Sequence, residues 1–406
     1  MSDQADQTPT EGLAIQQEPD LAGRHVVASF RNPLWSSAAR RSSRPIRGLR
    51  TMSVALGGRG KIMVGVPVMS ARLSLLASLA LLLSGCLHPL PPSEAIIKRV
   101  QMHMGTLVTI TAVAGTEEVA QAAITAGFRE INRLEERLST WIATSDLSRV
   151  NQAAGRGPVP VSPETLTTVK RSLEVGELTG GAFNIAIGPA VDAWGIVGEP
   201  RVPTETELAS LRKLVDLSRV RLDEQSSTVF LTLPGMRLDV GGIGKGFAAD
   251  RAVEAMQAAG AMAGVVALSG DIKTFGQMPD GRPFLFGIRH PRQEGGILAE
   301  VELRDEAIST AGDYEKVFER DGIRYHHILD PWTLQPASGC QSVTVIAKEG
   351  VVADGLDTGI FVMGPERGME LAERLPDVEA VIVDRDGNIG VSSGLKGRIK
   401  IVERPP

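Results

Sequence analysis

The stretch RLDVGGIGKGFAAD, residues 237–250, constrains the fold most, because it places four glycines and a lysine within six positions after an apolar run. Glycine has no Cβ atom, so its backbone can approach a ligand or a neighbouring element closely. Two familiar nucleotide loops do not fit. Asp239 stands where a Walker loop needs glycine, and Phe247 stands where the Rossmann spacing needs it. The common nucleotide-binding folds are therefore not supported.

The residues around these glycines predict a hairpin, a loop and a helix. VFLTL (229–233), a Pro-Gly turn and MRLDV (236–240) have the pattern of a β-hairpin. The apolar spacing of FAADRAVEAMQAAG (247–260) predicts a helix that ends at Gly260. A glycine loop that opens a helix directs N–H groups toward a bound anion. The alternative is a tight turn between two packed elements, and this stretch alone does not separate the two.

The N-terminal part of the chain has the pattern of a secretion signal. From Met69 it reads MSARLSLLASLALLLSGC, in which Arg72 precedes an apolar core that is too short for a membrane-spanning helix. We expect residues 69–85 to be a lipoprotein signal peptide, because LSGC resembles a bacterial lipobox, after which Cys86 is acylated. The alternative is a plain signal or a short anchor helix with an incidental cysteine.

A secretion signal acts from the N-terminus of a chain. We therefore expect translation to start at Met69 or Met63, and residues 1–68 to be a non-native upstream extension or disordered. Residues 86–97 would form a Pro-rich tether. This predicts a lipid-anchored protein at the periplasmic face of a bacterial membrane, with the inner membrane favoured. Cys340 would then be the remaining thiol, so no internal disulfide could form.

The charge balance argues against nucleic acid as a partner. The chain has 43 Lys and Arg and 48 Asp and Glu residues, and 10 and 5 of these, respectively, precede residue 86. The remaining part has a net charge of about −10 and no general attraction to nucleic acid. Its length is enough for one large domain or for two interlocked subdomains.

Helix and strand patterns are mixed in this mature part without a regular βαβ period, which favours an α+β fold over a doubly wound one. Helical spacing is found in 116–140, in 162–181 and from about 352 to 363. Strand patterns are found in the second half of 98–114 and in 264–276, 283–291, 299–305, 324–331 and 341–347.

VADGLDTGIF (352–361) is the strongest candidate for a chemical site. Asp354, Asp357 and Thr358 are spaced so that they share one face of a helix. Two carboxylates and a hydroxyl suit a hard cation such as Mg²⁺, which prefers oxygen ligands. The alternative is a helix-capping aspartate with an unrelated surface carboxylate.

RYHHILDP (324–331) is the second candidate. Adjacent histidines in a strand point to opposite faces, so at most one of His326 and His327 easily faces a given site. A histidine that faces a substrate can act as a base near neutral pH. The alternative is a purely structural role.

Taken in order, eight stretches resemble the ApbE family, the FAD:protein FMN transferases, from about Met104 to Gly364. They are MGT (104–106), LSTW (138–141) followed by SDLSRVN (145–151), GAFNIAIGPAVDAWG (181–195), LDVGGIGKGFAAD (238–250), LSGDI (268–272), STAGDY (309–314), YHHILDP (325–331) and ADGLDTGIFVMG (353–364). Each is weak alone, but eight in order are specific. The resemblance implies an α+β, T-fold-like architecture of mixed sheets with helices, in two interlocked subdomains within residues 98–406.

The resemblance also implies a reaction: Mg²⁺-dependent transfer of FMN from FAD to a Thr or Ser hydroxyl of an acceptor protein, with release of AMP. It assigns the metal to Asp354, Asp357, Thr358 and the backbone carbonyl of Gly242. We assign His327 as the catalytic base, with His326 behind it. The residues that the resemblance assigns to the FAD site are Met104, Trp141, Ala182, Phe183, Asn184, Asp239, Lys245 and Ile328.

Some positions depart from the family pattern. Trp141 stands where Tyr is common, Asn184 where Asp is frequent, and Ala311 where Ser is usual. DPWTLQP (330–336) replaces the common Asp-Pro-Arg-Thr-Gly-x-Pro, which leaves the shape of this turn and the choice of acceptor open.

Two other functions are compatible with the same residues. One is an FAD pyrophosphatase that gives FMN and AMP, and the other is a non-catalytic flavin-binding lipoprotein. For the transferase, the resemblance implies acceptor subunits of membrane redox complexes, such as the Na⁺-translocating NADH:quinone reductase or the Rnf complex.

Overall fold

The computed structural model describes residues 94–196 and 198–402. The predicted upstream segment, signal peptide and Cys86 lie outside these residues. The strands are β1 Ala95–His103, β2 Thr106–Ala114, β3 Val159–Pro160, β4 Val220–Asp223, β5 Thr228–Leu231, β6 Ala263–Leu268, β7 Asp271–Phe275, β8 Phe284–Arg289, β9 Ile297–Leu303, β10 Ala307–Gly312, β11 Val317–Arg320, β12 Ile323–His326, β13 Cys340–Ala347, β14 Val378–Asp384, β15 Ile389–Val391 and β16 Ile399–Ile401. The helices are α1 Glu117–Leu138, α2 Asp146–Gln152, α3 Pro163–Leu178, α4 Gly188–Trp194, α5 Glu205–Leu211, α6 Gly244–Ala258, α7 Gly350–Met363 and α8 Pro365–Arg374.

An eight-stranded sheet in the order β1-β2-β6-β7-β10-β13-β14-β15 organises the fold. Every neighbouring pair in it is antiparallel. Helices α1, α6, α7 and α8 contact this sheet, while the three-stranded sheet β16-β9-β8 packs on its other face. Within residues 94–196 and 198–402, helices and antiparallel sheets are thus combined without βαβ units, which confirms the predicted α+β class.

The sheet is buried on both faces, which explains why its central strands are apolar at successive positions. In β6, Val266 and Leu268 belong to the core beneath the helices, whereas Val265 and Ala267 belong to the core between the two sheets. Side chains alternate between the faces of a strand, so a sheet that is covered on both sides needs apolar residues at every position.

Helices α1 and α3 lie within the predicted ranges 116–140 and 162–181, whereas α6 begins at Gly244, before the predicted start at 247, so the last glycines of the loop form its first turn. Helix α1 is capped by Thr116, whose Oγ1 accepts from Val119 N at 3.3 Å. Helix α3 is capped by Ser162 and has Pro163 in its first turn. Such caps satisfy N–H groups that have no partner inside the helix. No helix within the described ranges is long and apolar enough to cross a membrane.

The predicted hairpin between 229–233 and 236–240 is wrong. Strand β5 pairs instead with β4, the segment before it, and with β3. Residues 236–240 form no strand, because their backbone groups bond elsewhere: Leu238 N donates to Asn151 Oδ1 at 2.7 Å, and Asp239 N donates to Ile185 O at 2.8 Å. Residues 236–240 therefore connect the Pro-Gly turn to the glycine loop without forming a strand.

The predicted boundary between tether and domain is three residues late, because β1 begins at Ala95. The whole of 95–114 forms the β1–β2 hairpin, whereas the sequence pattern showed a strand only in its second half. Met104 and Gly105 form the turn of this hairpin, and both have positive φ angles, 49° and 71°.

A smaller apolar cluster surrounds Trp194 at the end of α4. Its indole Nε1 donates to Leu334 O at 2.7 Å, and its ring lies 5.3 Å from the ring of Tyr325. Leu208 and Leu329 complete the packing. This cluster fixes the β11–β12 hairpin, whose strand β12 leads into the predicted catalytic histidine.

We predict that Gly246→Ala destabilises the fold, because a Cβ atom there would overlap the carbonyl oxygen of Gly350 and lie 2.7 Å from Asp354 Cβ. Such overpacking costs about 3 kcal/mol, which outweighs the gain of about 1 kcal/mol from replacing glycine in a helix. The measurement is the free energy of unfolding in denaturant. The control is Gly157→Ala, where no atom lies within 4 Å of the added Cβ. An unchanged free energy for Gly246→Ala would contradict the close packing of α6 on α7.

Candidate functional site

The predicted carboxylates of α7 are buried and face the glycine loop. Asp354 Oδ2 accepts a hydrogen bond of 2.8 Å from Gly246 N, in the first turn of α6. Asp354 is 3% exposed and Asp357 is 2% exposed. Helix α7 begins at Gly350, where Asp250 accepts from the first N–H groups. Asp354 is therefore not the helix cap, and the capping alternative is excluded.

A third carboxylate joins them from the sheet. Ligand oxygens of Asp271, Asp354 and Asp357 all lie within 4.8 Å of one another. Asp271 is the first residue of β7, which pairs with β10. Ser309 of β10 bridges two members of the trio, since its Oγ contacts Asp271 and donates to Asp357 Oδ2 at 2.6 Å. We name Asp271, Asp354 and Asp357 the carboxylate trio.

Sequence reasoning did not assign Asp271. The residue was visible in the LSGDI stretch, which forms part of the family resemblance. What the sequence could not supply was the pairing of β7 with β10, which brings this carboxylate to the face of α7.

Burial and mutual repulsion make the ionised trio unfavourable without a cation. They raise the pKa of Asp354 to about 7, with burial the main cause and Asp271 the second. Burial raises the pKa of Asp357 well above its usual range, and the charges of Asp354 and Asp271 add to this. Three oxygen donors of this kind match the ligand preference of a hard divalent cation.

Lys245 is a positively charged side chain that lies beside the trio. It lies in the first turn of α6, and its Nζ is paired with Asp271. Burial lowers the pKa of Lys245, but the carboxylates of the trio raise it by more, so that the net shift is upward. The predicted FAD-site lysine is thus a direct neighbour of the predicted metal site.

Gly242 lies beside Thr358, the remaining side chain that was predicted to bind the metal. A Cβ atom on Gly242 would be 3.0 Å from Thr358 Oγ1 and 3.5 Å from Phe183 Cε2. Thr358 Oγ1 in turn donates to Asp357 Oδ1 at 3.1 Å. The glycine loop therefore lies against Thr358 beside the trio, and a side chain at position 242 would require Thr358 to shift. The four predicted metal-site residues lie together.

Two predicted FAD-site residues, Phe183 and Met104, lie beside the glycine loop. Ala182, Phe183 and Ile328 are buried. Met104 reaches the glycine loop, since its Cε would lie 3.8 Å from a Cβ on Gly244.

The others have defined local roles or lie at the surface. Asp239 Oδ1 accepts from Gly241 N at 2.8 Å and so shapes the loop. Asn184 Oδ1 accepts from Ala186 N at 2.9 Å. Trp141 follows α1 and is 69% exposed.

The two histidines have different surroundings. His326 ends β12, and its Nε2 lies 2.8 Å from Ala337 O while its Nδ1 accepts from Ile328 N at 3.3 Å. Both ring nitrogens are thus occupied, which is typical of a structural role. His327 Nδ1 is buried and has no hydrogen-bond partner among the described residues.

His327 is neutral at physiological pH. Burial, together with the charges of Lys316, His326 and Lys245, lowers its pKa to about 3. A neutral imidazole with an unpaired nitrogen can accept a proton, although the resulting cation is poorly stabilised until negative charge arrives nearby.

A cavity of about 790 Å³ lies on the far side of α6, between α1, α3 and the start of α7. Its lining is rich in charged side chains, and none of the predicted site residues belongs to it. We therefore locate the candidate site at the carboxylate trio and not in this cavity.

Comparisons of sequence and of structure with known proteins agree on one family. The model of the ApbE family matches residues 104–382. An FAD:protein FMN transferase of Vibrio cholerae is 36% identical over 307 residues, which cover 73% of this chain and 89% of the relative. One of Treponema pallidum is 34% identical over 323 residues, covering 75% of this chain and 89% of the relative.

Solved structures agree with these relatives. The ApbE protein of Thermotoga maritima superposes with a TM-score of 0.70 at 30% identity and covers 75% of this chain and 99% of its own. The flavin transferase ApbE of Vibrio cholerae gives a TM-score of 0.67 at 31% identity, with the same coverage. The family model spans more than half of the sequence, and curated relatives exceed 30% identity over most of their own length, so this chain belongs to the ApbE family.

Proposed function

We propose that this chain is an FAD:protein FMN transferase that moves FMN from FAD to a Thr or Ser hydroxyl of an acceptor protein and releases AMP. The observation that carries the proposal is the carboxylate trio, which lies against a glycine loop and beside Lys245. Relatives of this chain are named for the same reaction. The trio and Lys245 suit a substrate whose reacting centre is a diphosphate.

We propose that Mg²⁺ is the resident cation. Asp354, Asp357, Thr358 and the carbonyl of Gly242 would hold it, and Asp271 extends the set predicted from sequence. Bound there, Mg²⁺ would offset charge on the phosphoryl oxygens and stabilise the departing AMP. Lys245 would then be released from Asp271 to pair with a phosphate oxygen, because the cation replaces its charge at the trio.

His327 accepts the proton in this proposal. The acceptor hydroxyl oxygen forms a bond to the phosphorus on the FMN side of the diphosphate, and the bond from that phosphorus to the bridging oxygen breaks. The hydroxyl proton moves to His327 Nδ1, and AMP leaves with the bridging oxygen. The negative diphosphate counteracts the lysine charges that lower the pKa of His327, so substrate binding strengthens the base.

We further propose that the acceptor is a subunit of a membrane redox complex, of the Na⁺-translocating NADH:quinone reductase or Rnf type. The lipobox-like sequence at Cys86 supports a lipid anchor on the periplasmic face of a bacterial membrane. Confinement of enzyme and acceptor to one surface raises their effective concentration.

The variant Asp354→Ala should abolish FMN transfer, because it removes a buried carboxylate that would bind the cation. It also leaves part of the positive charge of Lys245 and the cation without compensation. The measurement is flavin fluorescence of the acceptor band in a denaturing gel, with AMP release followed in parallel. Asp377→Ala, at an exposed carboxylate outside the site, is the control and should be unaffected. Near-normal transfer by Asp354→Ala would refute the metal role of the trio. Stoichiometric AMP release from FAD without acceptor would instead favour the pyrophosphatase.

The variant His327→Ala should lower kcat by about 100-fold, a typical contribution of a general base, and by less than Asp354→Ala. Phosphoryl transfer depends mainly on positioning and electrostatics, so loss of the base is the smaller defect. The measurement is the initial rate of acceptor flavinylation at saturating FAD. If His327→Ala kept the wild-type rate across pH 6–9, a group other than His327 would take up the hydroxyl proton.

The apparent affinity for Mg²⁺ should rise from pH 6 to pH 8. The pKa of Asp354 is about 7 in the metal-free protein, and a cation must displace the proton below that pH. We therefore expect affinity to fall about tenfold per pH unit below pH 7, which calorimetric titration would measure. Because the pKa of Asp357 is raised as well, Asp354→Asn should reduce this slope without removing it, and a pH-independent affinity in the wild type would contradict the protonated trio.

A further inference from the structure

The turn formed by residues 330–336 is held rigidly. Asp330 Oδ1 accepts from Trp332 N at 2.7 Å and from Thr333 N at 3.1 Å. Leu334 N donates to Asp330 O at 2.7 Å, and Leu334 O accepts from the buried indole of Trp194. The position of Trp332 is therefore set by the backbone of the turn and not by packing of its own side chain.

The indole of Trp332 lies over a bare stretch of backbone. Its Cζ2 atom would be 3.7 Å from a Cβ on Gly181, whose φ angle is +93°. Even so, Trp332 remains 51% exposed. A large aromatic ring that rests on glycine backbone, half open to solvent and fixed by a rigid turn, is placed to receive a second flat group.

Trp332 lies between the two parts of the site. Gly181 is followed by Ala182 and Phe183, and Phe183 Cε2 would be 3.5 Å from a Cβ on Gly242 in the glycine loop. On the other side, the turn follows Ile328 and His327 along the chain. The exposed indole is thus beside the segment that leads to Phe183 and is carried by the segment that follows His327.

We propose that Trp332 is a further substrate-contacting residue, whose indole stacks on a planar ring of the bound dinucleotide. The inference rests on the proposed function, since it takes FAD as the ligand. Both the isoalloxazine and the adenine offer such a ring, and stacking on an aromatic side chain needs no hydrogen-bonding partner. The alternative partner for the indole of Trp332 is the surface of the acceptor protein, and the test distinguishes the acceptor protein from the dinucleotide.

The experiment titrates the full-length protein and its variants with FAD, FMN and ADP, and measures dissociation constants by calorimetry and by quenching of tryptophan fluorescence. Trp332→Ala should weaken FAD binding by about tenfold and reduce the quenching amplitude. Trp332→Phe should keep affinity within about threefold, because the ring is retained. Ile323→Ala, at the exposed end of β12, is the surface control and should match the wild type.

The single-ring probes identify the stacking partner. A selective loss for FMN with Trp332→Ala assigns the isoalloxazine, and a selective loss for ADP assigns the adenine; either result supports the proposal. Unchanged FAD affinity in Trp332→Ala, with a raised KM for the acceptor, would overturn it in favour of an acceptor contact. An equal loss in the Ala and Phe variants with a lowered Tm would overturn it in favour of a structural role. Absence of FAD binding in the wild type would reject the proposed function itself.

Discussion

The site depends on the burial of three like charges within 4.8 Å. Carboxylates do not ionise together in a buried position unless cations and hydrogen-bond donors compensate them. Here the donors are Ser309 and the N–H of Gly246, and the cation is Lys245. These groups come from β10 and α6, while the carboxylates come from β7 and α7. The arrangement of helices over the sheet is therefore also the arrangement that balances this charge.

Close contact between α6 and α7 makes the arrangement possible, and glycine is what allows it. A Cβ on Gly246 would overlap the backbone of Gly350, and a Cβ on Gly350 would lie 2.6 Å from Gly246 O. With both positions bare, the first turn of α6 comes near enough for its N–H to reach Asp354. The structure thus shows a tight packing turn, one of whose N–H groups donates to a carboxylate of the protein itself, while binding of a ligand anion by the loop stays a prediction.

Features that depend on local sequence were predictable, and features that depend on distant partners were not. Helices α1, α3 and α7 were found from apolar spacing and capping residues, because those signals act within a few turns. The hairpin of β5 was assigned to the wrong neighbour. No strand was predicted for the segment that forms β4, and residues 236–240 bond instead to Asn151 and Ile185, far away in sequence. Asp271 was overlooked for the same reason, since only the pairing of β7 with β10 brings it to Asp357.

The turn at 330–336 shows how packing can support a backbone conformation that usually favours glycine. Leu334 stands where glycine is common and has a positive φ of 59°, a conformation that costs a leucine about 1 kcal/mol. It is fully buried in the Trp194 cluster, and burial of a leucine side chain contributes about 2 kcal/mol. Packing of the leucine side chain therefore offsets the strain at this positive φ. Trp332, by contrast, is 51% exposed, and the bonds that hold this turn come from Asp330, Leu334 and Trp194 and not from the indole of Trp332.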